Sequence, residues 1–401
     1  MTQPISTPLL RVYMQIFKAV TAALPINWPK EFRGTGSTEQ LLQHIVSSGN
    51  PKVLLVSDQN LLDVGVVQPI QTKLQELGCE TKLFSEITPD PPMQQIEHGV
   101  NTLHEFGAVA VLAVGGGSVI DAAKLIAARA LNTKPVQKMT GLFKVTKGTL
   151  PLYVIPTTAG TGSEVTIAAV VSDTQAQRKL AVIDHRLMPS AMALDANIML
   201  GLPPAITAAT GMDALTHAVE AYISRNATST TSEQSLTAAQ AILSNLPAAF
   251  ENGKDTEARQ AMAEASMFAG KAFTIAGVGY VHAIAHNLGA RYHIPHGLAN
   301  AMVMPYVLSA SISHCSKRLA ELARTCGVSD DKDDMKAGLA FIDHISELNH
   351  TFNIPLKIEQ LKREDIPAIA KAARQEARFT YAVPRYFSQQ EMCSLLELML
   401  P

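Results

Sequence analysis

Residues 108–114 read Ala-Val-Ala-Val-Leu-Ala-Val, an unbroken apolar run halted by Gly115-Gly116-Gly117. Such a run has no polar face to turn toward water, so it predicts a strand buried on both sides, as in a parallel sheet covered by helices. Val53-Leu54-Leu55-Val56, ending at Ser57-Asp58, and Leu152-Tyr153-Val154-Ile155, closed by Pro156, repeat the pattern, and Thr166–Val171 offers one more candidate. Met93, Ile96, Val100 and Leu103 fall at helical spacing up to Gly107. Short β-rich runs alternating with helices over about 50–195 predict an α/β domain with a largely parallel sheet.

Beyond Asp195 the texture changes, because Pro203-Pro204 leads into long Ala-rich segments with helical periodicity and few strand signals. Helices are expected within 205–224, 232–250, 256–276, 280–290, 300–327, 332–350, 365–377 and 388–399. A boundary at about 196–204 gives an α/β domain over 1–198 and an all-helical domain over 199–401. With 47% hydrophobic residues and a formal net charge of −2, the 401-residue chain can bury a sizeable core and offers no strong field to a polyanion. Nucleic acid is therefore not an expected partner. No segment supplies the roughly eighteen consecutive apolar residues of a membrane span, and the N-terminus lacks the basic flank, apolar core and cleavage site of a secretory signal. Cys79, Cys315, Cys326 and Cys393 are scattered without a C-x-x-C pair, which reads as four reduced thiols in a cytoplasmic protein.

Two loops have the chemistry of a phosphate or nucleotide site. Gly115-Gly116-Gly117-Ser118 follows a buried strand and opens a helix, where glycines admit close backbone approach and the helix start favours an anion. The position three after Gly117 is Ile120, so the G-x-G-x-x-G fingerprint is absent, and a tight ligand-free turn is the alternative. Pro156-Thr157-Thr158-Ala159-Gly160-Thr161-Gly162-Ser163-Glu164 also follows a strand and offers hydroxyls where sheet ligands bind. Asp58, beyond another strand, can accept from a ribose 2′-hydroxyl and would repel a 2′-phosphate, favouring NAD over NADP; it can equally be a helix cap.

Asp213 and His217 lie four apart, so on a helix they share one face and can converge on one ion. Four of the 12 histidines then fall within the 15 residues His282 to His296, and His282 and His286 repeat the four-residue spacing. Spacing alone does not choose among His282, His286, His293 and His296. One carboxylate with two or three imidazoles suits iron(II), zinc, nickel or another first-row ion, whereas calcium or magnesium would call for more oxygens. A histidine-rich helix packed by hydrogen bonds is the bland alternative.

The stretches GGGSVIDAAK, IPTTAGTGSEVT, ATGMDALTHAVEAY and VHAIAHNLGARYHIPHGLANA, spread in order between about residues 53 and 307, and Val383-Pro384-Arg385 resemble the iron-containing (group III) alcohol dehydrogenases. The resemblance implies a dehydroquinate synthase-like fold: an N-terminal α/β dinucleotide-binding domain, an all-α C-terminal domain, and a cleft where nicotinamide meets metal. It implies that Asp213, His217, His282 and His296 hold a divalent ion, iron(II) first with zinc or nickel as alternatives, while His286 faces the nicotinamide side. Gly116, Gly117, Ser118 and Asp121 match the pyrophosphate-loop segment, Thr157 and Thr158 residues near the phosphates and ribose, Lys179 a lysine on the cofactor side, and Asp58 the residue that biases toward NAD. Phe273 falls where the family places an apolar wall of the substrate pocket.

The implied activity is hydride transfer between NAD(H) and a small primary alcohol or aldehyde, by a cytoplasmic homodimer or larger homo-oligomer. On this reading the ion acts as Lewis acid on the substrate oxygen, and His286 either relays the hydroxyl proton or only lines the pocket. Rival readings on the same fold are a hydroxyacid–oxoacid transhydrogenase, a glycerol dehydrogenase, and a dehydroquinate synthase-like lyase. The last needs several cationic side chains for a phosphorylated acid, and Arg291 is the chief candidate near the helical motifs. A catalytically silent scaffold is the rival from another class, but it has no physical need of both loops and the ligand set.

Overall fold

The computed structural model describes residues 26–173 and 178–401; the N-terminal segment considered above for a secretory signal lies outside them. The chain divides into two compact units, one comprising Ile26–Leu202 with Asn252–Met267, the other Pro203–Glu251 with Phe268–Pro401.

Among the described residues the first unit has nine strands: β1 (Lys30–Arg33), β2 (Lys52–Val56), β3 (Glu80–Phe84), β4 (Ala110–Gly115), β5 (Gly141–Leu142), β6 (Leu152–Pro156), β7 (Ala168–Asp173), β8 (Arg178–Ile183) and β9 (Ala191–Leu194). Six of them form one sheet in the order β1-β9-β6-β4-β2-β3, parallel throughout. Every residue of β4 is buried, as its unbroken apolar run requires. Helices α1 (Ser37–Ser47), α2 (Val67–Glu76), α3 (Met93–Phe106) and α4 (Gly117–Leu131) cover the sheet. Leu41 and Ile45 of α1 and Ile70 and Leu74 of α2 pack with Val53, Leu55, Leu112, Val114 and Ile155. The alternate residues Leu54, Val111, Ala113 and Val154 point to the opposite face and are equally buried. Each such Leu, Ile or Val contributes about 1.5–3 kcal/mol by leaving water.

Helix α3 ends at Gly107, whose left-handed backbone (φ 72°) closes it in the position the sequence suggests. The strand expected at Thr166–Val171 is observed as β7, in a separate three-stranded sheet ordered β5-β8-β7, where it runs antiparallel to β8. The edge strands β1 (KEFR) and β3 (ETKLF) are charged and only partly buried, so no apolar run announced them. Strand β3 lies on one side of β2 and β4 on the other, so the chain reverses direction across the sheet between β2 and β4. The carboxyl ends of those strands, at Ser57-Asp58 and Gly115-Gly116, flank the crevice where open α/β sheets take ligands.

The second unit is helical. It contains α5 (Pro204–Ile223), α6 (Ser229–Glu251), the Phe268–Ala276 part of α7 (Thr256–Ala276), α8 (Tyr280–Tyr292), α9 (His296–Thr325), α10 (Asp334–Thr351), α11 (Ile366–Thr380) and α12 (Gln389–Glu397). Pro204 opens α5, a position that needs no N–H partner. Helix α5 is apolar on nearly all sides, and 15 of its 20 residues are buried, so its few polar side chains sit in the interior. Between α8 and α9, His293 takes a left-handed conformation (φ 57°) and Pro295 precedes the new helix, which turns the chain sharply. Among the described residues no single helix is long and apolar enough to cross a membrane.

Candidate metal centre and cofactor loops

Asp213 and His217 occupy one face of α5, and His282 lies in the first turn of α8. All three are buried, and one donor atom from each lies within 4.8 Å of the others. His282 Nε2 is 3.9 Å from Asp213 Oδ1. His296, the first residue of α9, brings its Nε2 to 3.6 Å from the same oxygen. Asp213, His217 and His282 thus form a buried triad, and His296 approaches its carboxylate from a third helix. The His217 ring stacks on His282 at 4.5 Å between centroids and on Phe273 at 4.2 Å, so Phe273 buttresses one imidazole of the cluster.

Three residues absent from the sequence reading complete this region. Asn300 donates to Asp213 Oδ1 at 2.6 Å and its Nδ2 lies 3.2 Å from His296 Nε2. Glu220 accepts hydrogen bonds from the backbone N–H groups of Gly279 and Val281, each at 2.7 Å, and its Oε2 is 2.7 Å from His282 Nδ1. Glu376 lies 2.7 Å from His286 Nδ1 and accepts from the Tyr381 hydroxyl at 2.7 Å. Spacing carried a signal for two of them, since Glu220 is seven residues after Asp213 and Asn300 four after His296. Nothing local pointed to Glu376, which meets His286 across 90 residues of chain.

Burial governs the electrostatics. It pushes the Asp213 carboxyl upward against the pull of His217 and the Asn300 hydrogen bond. It pushes His282 well below the ordinary imidazole value, so this ring is neutral and keeps a lone pair. It also raises the Glu220 carboxyl to about 7 despite the backbone N–H groups it accepts, so a cation beyond His282 would favour the ionised form. Glu376 feels burial too, yet the His286 imidazole and the hydrogen bonds from His286 and Tyr381 outweigh it and hold the carboxyl below its usual value.

The donor set fits a divalent first-row ion. His282 Nε2 is buried without a hydrogen-bond partner although Nδ1 is engaged, and a buried polar atom of this kind is costly unless something takes its lone pair. Nitrogen and carboxylate donors converging on it supply the chemistry that such ions prefer.

In the α/β unit the two loops are packed against each other. Thr157 donates its backbone N–H to the Gly115 carbonyl at 3.1 Å. A Cβ on Gly117 would lie 2.7 Å from Thr161 Cγ2, and one on Gly116 would lie 3.4 Å from Thr158 Oγ1. Helix α4 starts at Gly117 with no side-chain cap, which suits a backbone cradle for phosphate. Ser118 Oγ accepts from the Asp90 N–H at 3.3 Å, and Lys179 pairs with the Asp90 carboxylate at 2.6 Å, so Asp90 links both residues. Asp58 caps a short helix by accepting from the Leu61 N–H at 3.0 Å. Asp121 turns toward β7, where its Oδ2 accepts from the Val170 N–H at 2.9 Å. Arg291 pairs with Asp365.

The family profile for iron-containing alcohol dehydrogenase matches residues 29–196, and that for the Fe-containing alcohol dehydrogenase family, C-terminal, matches residues 207–400. Alcohol dehydrogenase 4 of Saccharomyces cerevisiae is 36% identical over 375 residues, covering 92% of this chain and 96% of that protein. NAD-dependent methanol dehydrogenase of Bacillus methanolicus is 34% identical over 373 residues, covering 92% and 97%. The structure of an alcohol dehydrogenase from Oenococcus oeni superposes with a TM-score of 0.91 at 31% identity, over 94% of this chain and 100% of that one. The chain belongs to the iron-containing alcohol dehydrogenase family. It is an NAD(H)-linked alcohol/aldehyde oxidoreductase, and the family implies a divalent metal.

Proposed function

We propose that this chain interconverts small primary alcohols and aldehydes with NAD(H), with a divalent ion, iron(II) foremost, held by Asp213, His217, His282 and His296. The observation that carries the proposal is the buried triad of Asp213, His217 and His282, in which His282 Nε2 has no hydrogen bond and to whose carboxylate His296 adds a further imidazole. When bound, the ion supplies Lewis acidity toward the substrate oxygen and the nicotinamide carries the hydride. Asp213 contributes the anionic donor, kept in place by Asn300. His286, tethered at Nδ1 by Glu376, has Nε2 to take the hydroxyl proton during oxidation and return it during reduction. Phe273, stacked on His217, forms an apolar wall for the carbon chain of the substrate.

Gly116, Gly117 and Ser118 hold the pyrophosphate, with Thr157, Thr158 and Lys179 on the cofactor side and Asp58 disfavouring a 2′-phosphate, whereas Asp121, expected there from the resemblance, braces α4 against β7 instead. Residues 1–198 are proposed as the cofactor domain and 199–401 as the metal domain. Four free cysteines support a cytoplasmic setting, and the resemblance supports a homodimer or larger homo-oligomer.

The test is NADH formation over a panel of short alcohols, using protein stripped with chelator and reloaded without oxygen with Fe2+, Zn2+ or Ni2+. Turnover should vanish on stripping and return on reloading, and His282→Ala should lose ion and turnover together. A metal-free His282→Ala protein with full activity would contradict the proposal. Turnover from purified protein without added NAD would identify the transhydrogenase instead.

A further inference from the structure

We propose that Glu220 is a positioning residue for the metal centre: it holds His282 with hydrogen on Nδ1, so that the Nε2 lone pair faces Asp213 and His217. This inference rests on the metal centre proposed above. Glu220 is 3% exposed and shares one face of α5 with Asp213 and His217, at seven and three residues from them. One helix face therefore carries two ion donors and the group that seats a third.

The tautomer follows from the hydrogen bond. With Glu220 ionised, the form a cation beyond His282 favours, the carboxylate only accepts, so its 2.7 Å contact from Oε2 to His282 Nδ1 places the hydrogen on Nδ1. The other ring nitrogen, Nε2, is then the one with a lone pair, and it is the one buried beside Asp213. Ligating imidazoles are generally oriented this way by a carboxylate on the far nitrogen.

Glu220 also fixes the helix that carries His282. Gly279 stands at the N-cap of α8 and supplies no side-chain cap, leaving N–H groups at the helix start to be satisfied from elsewhere. Glu220 takes the Gly279 and Val281 N–H groups, each at 2.7 Å, so one carboxylate sets both the helix start and the ring. The fit is close, because a Cβ on Gly279 would lie 2.6 Å from Glu220 Oε1. Residue 279 has φ −141°, a value open to other residues, so it is this contact rather than the backbone that disfavours a side chain there.

A plain helix cap and a positioning carboxylate differ in what they do to ion affinity. The full-length protein, stripped of metal, is titrated with Zn2+ alone by chelator competition, for the parent chain, Glu220→Gln and Gly279→Ala. A glutamine amide cannot accept from all three donors, so Glu220→Gln should weaken Zn2+ binding by about 10- to 100-fold. Gly279→Ala, which displaces the carboxylate without removing it, should weaken binding in the same direction. Nitrogen-15 NMR of the zinc-loaded parent protein should show His282 protonated at Nδ1 and metal-bound at Nε2, a readout that needs no variant to fold. Unchanged Zn2+ affinity in a folded Glu220→Gln protein, or ligation of the parent's His282 through Nδ1, would overturn the inference while leaving the metal centre standing. A parent protein that takes no Zn2+ would overturn both.

Discussion

Each unit buries a cluster of charged side chains, and the two clusters are finished differently. In the α/β unit, Lys124 is 0% exposed and its amino group donates to Thr166 O at 2.8 Å, Thr166 Oγ1 at 2.7 Å and Ala168 O at 2.8 Å, which uses all three of its donors. Asp121 accepts from Val170 and Glu164 is buried nearby, while Oδ1 of Asp121 is without a hydrogen bond. The cation of this cluster is fully satisfied by the chain, and it ties β7 and the Ser163–Val165 turn to α4. In the helical unit, Glu220 and Glu376 hold the Nδ1 atoms of His282 and His286 and Asn300 donates to Asp213 Oδ1, while His282 Nε2, facing that oxygen, is left without a hydrogen bond. A buried cluster whose cation is satisfied by the chain's own oxygens is a staple. One that leaves an imidazole lone pair facing a carboxylate and a second imidazole is a ligand site.

Two variants in the α/β unit sharpen this contrast. The larger effect is expected from Glu164→Gln. Burial raises the Glu164 carboxyl from its ordinary 4.5 to about 7. Between those values the folded chain binds more protons than the unfolded chain. The contribution of Glu164 to stability is therefore full below about 4.5 and is lost as pH rises through about 7. Over that window denaturant unfolding should lose up to about 3 kcal/mol in the parent, and the Gln variant should flatten the slope. Lys124, lowered by burial to about 8, acts in the opposite sense above that pH. If metal content followed this titration, the two clusters would not be separate devices. A smaller effect is expected from Gly117→Ala, whose Cβ would meet Thr161 Cγ2 at 2.7 Å. The dissociation constant for NAD, measured by calorimetry, should rise about tenfold, or ~1.4 kcal/mol, with metal content unchanged. Equal NAD affinity in this variant would show that the glycine loop does not hold the cofactor.

What could be read in advance follows from how local each feature is. Strands β2, β4 and β6 were legible because burial on both faces leaves no polar residue to blur the run. Edge strands such as β3 alternate charge with apolar residues and look like loops. Asp213 and His217 were legible as a pair because helix periodicity alone brings them together. His296 followed from the family resemblance and not from spacing, because it reaches Asp213 through a left-handed residue at His293 and the start of a new helix, which no period describes. The spacing that paired His282 with His286 gave no hint that His286 would be tied to Glu376, a contact that only the packing of α8 on α11 creates.

The central claim is that Asp213, His217, His282 and His296 hold one divalent ion. Elemental analysis of protein purified without oxygen, for the parent chain and for His217→Ala, tests it most directly. The account predicts close to one first-row ion per parent chain and close to none in a folded variant. One ion per chain in both proteins would place the metal elsewhere and contradict it.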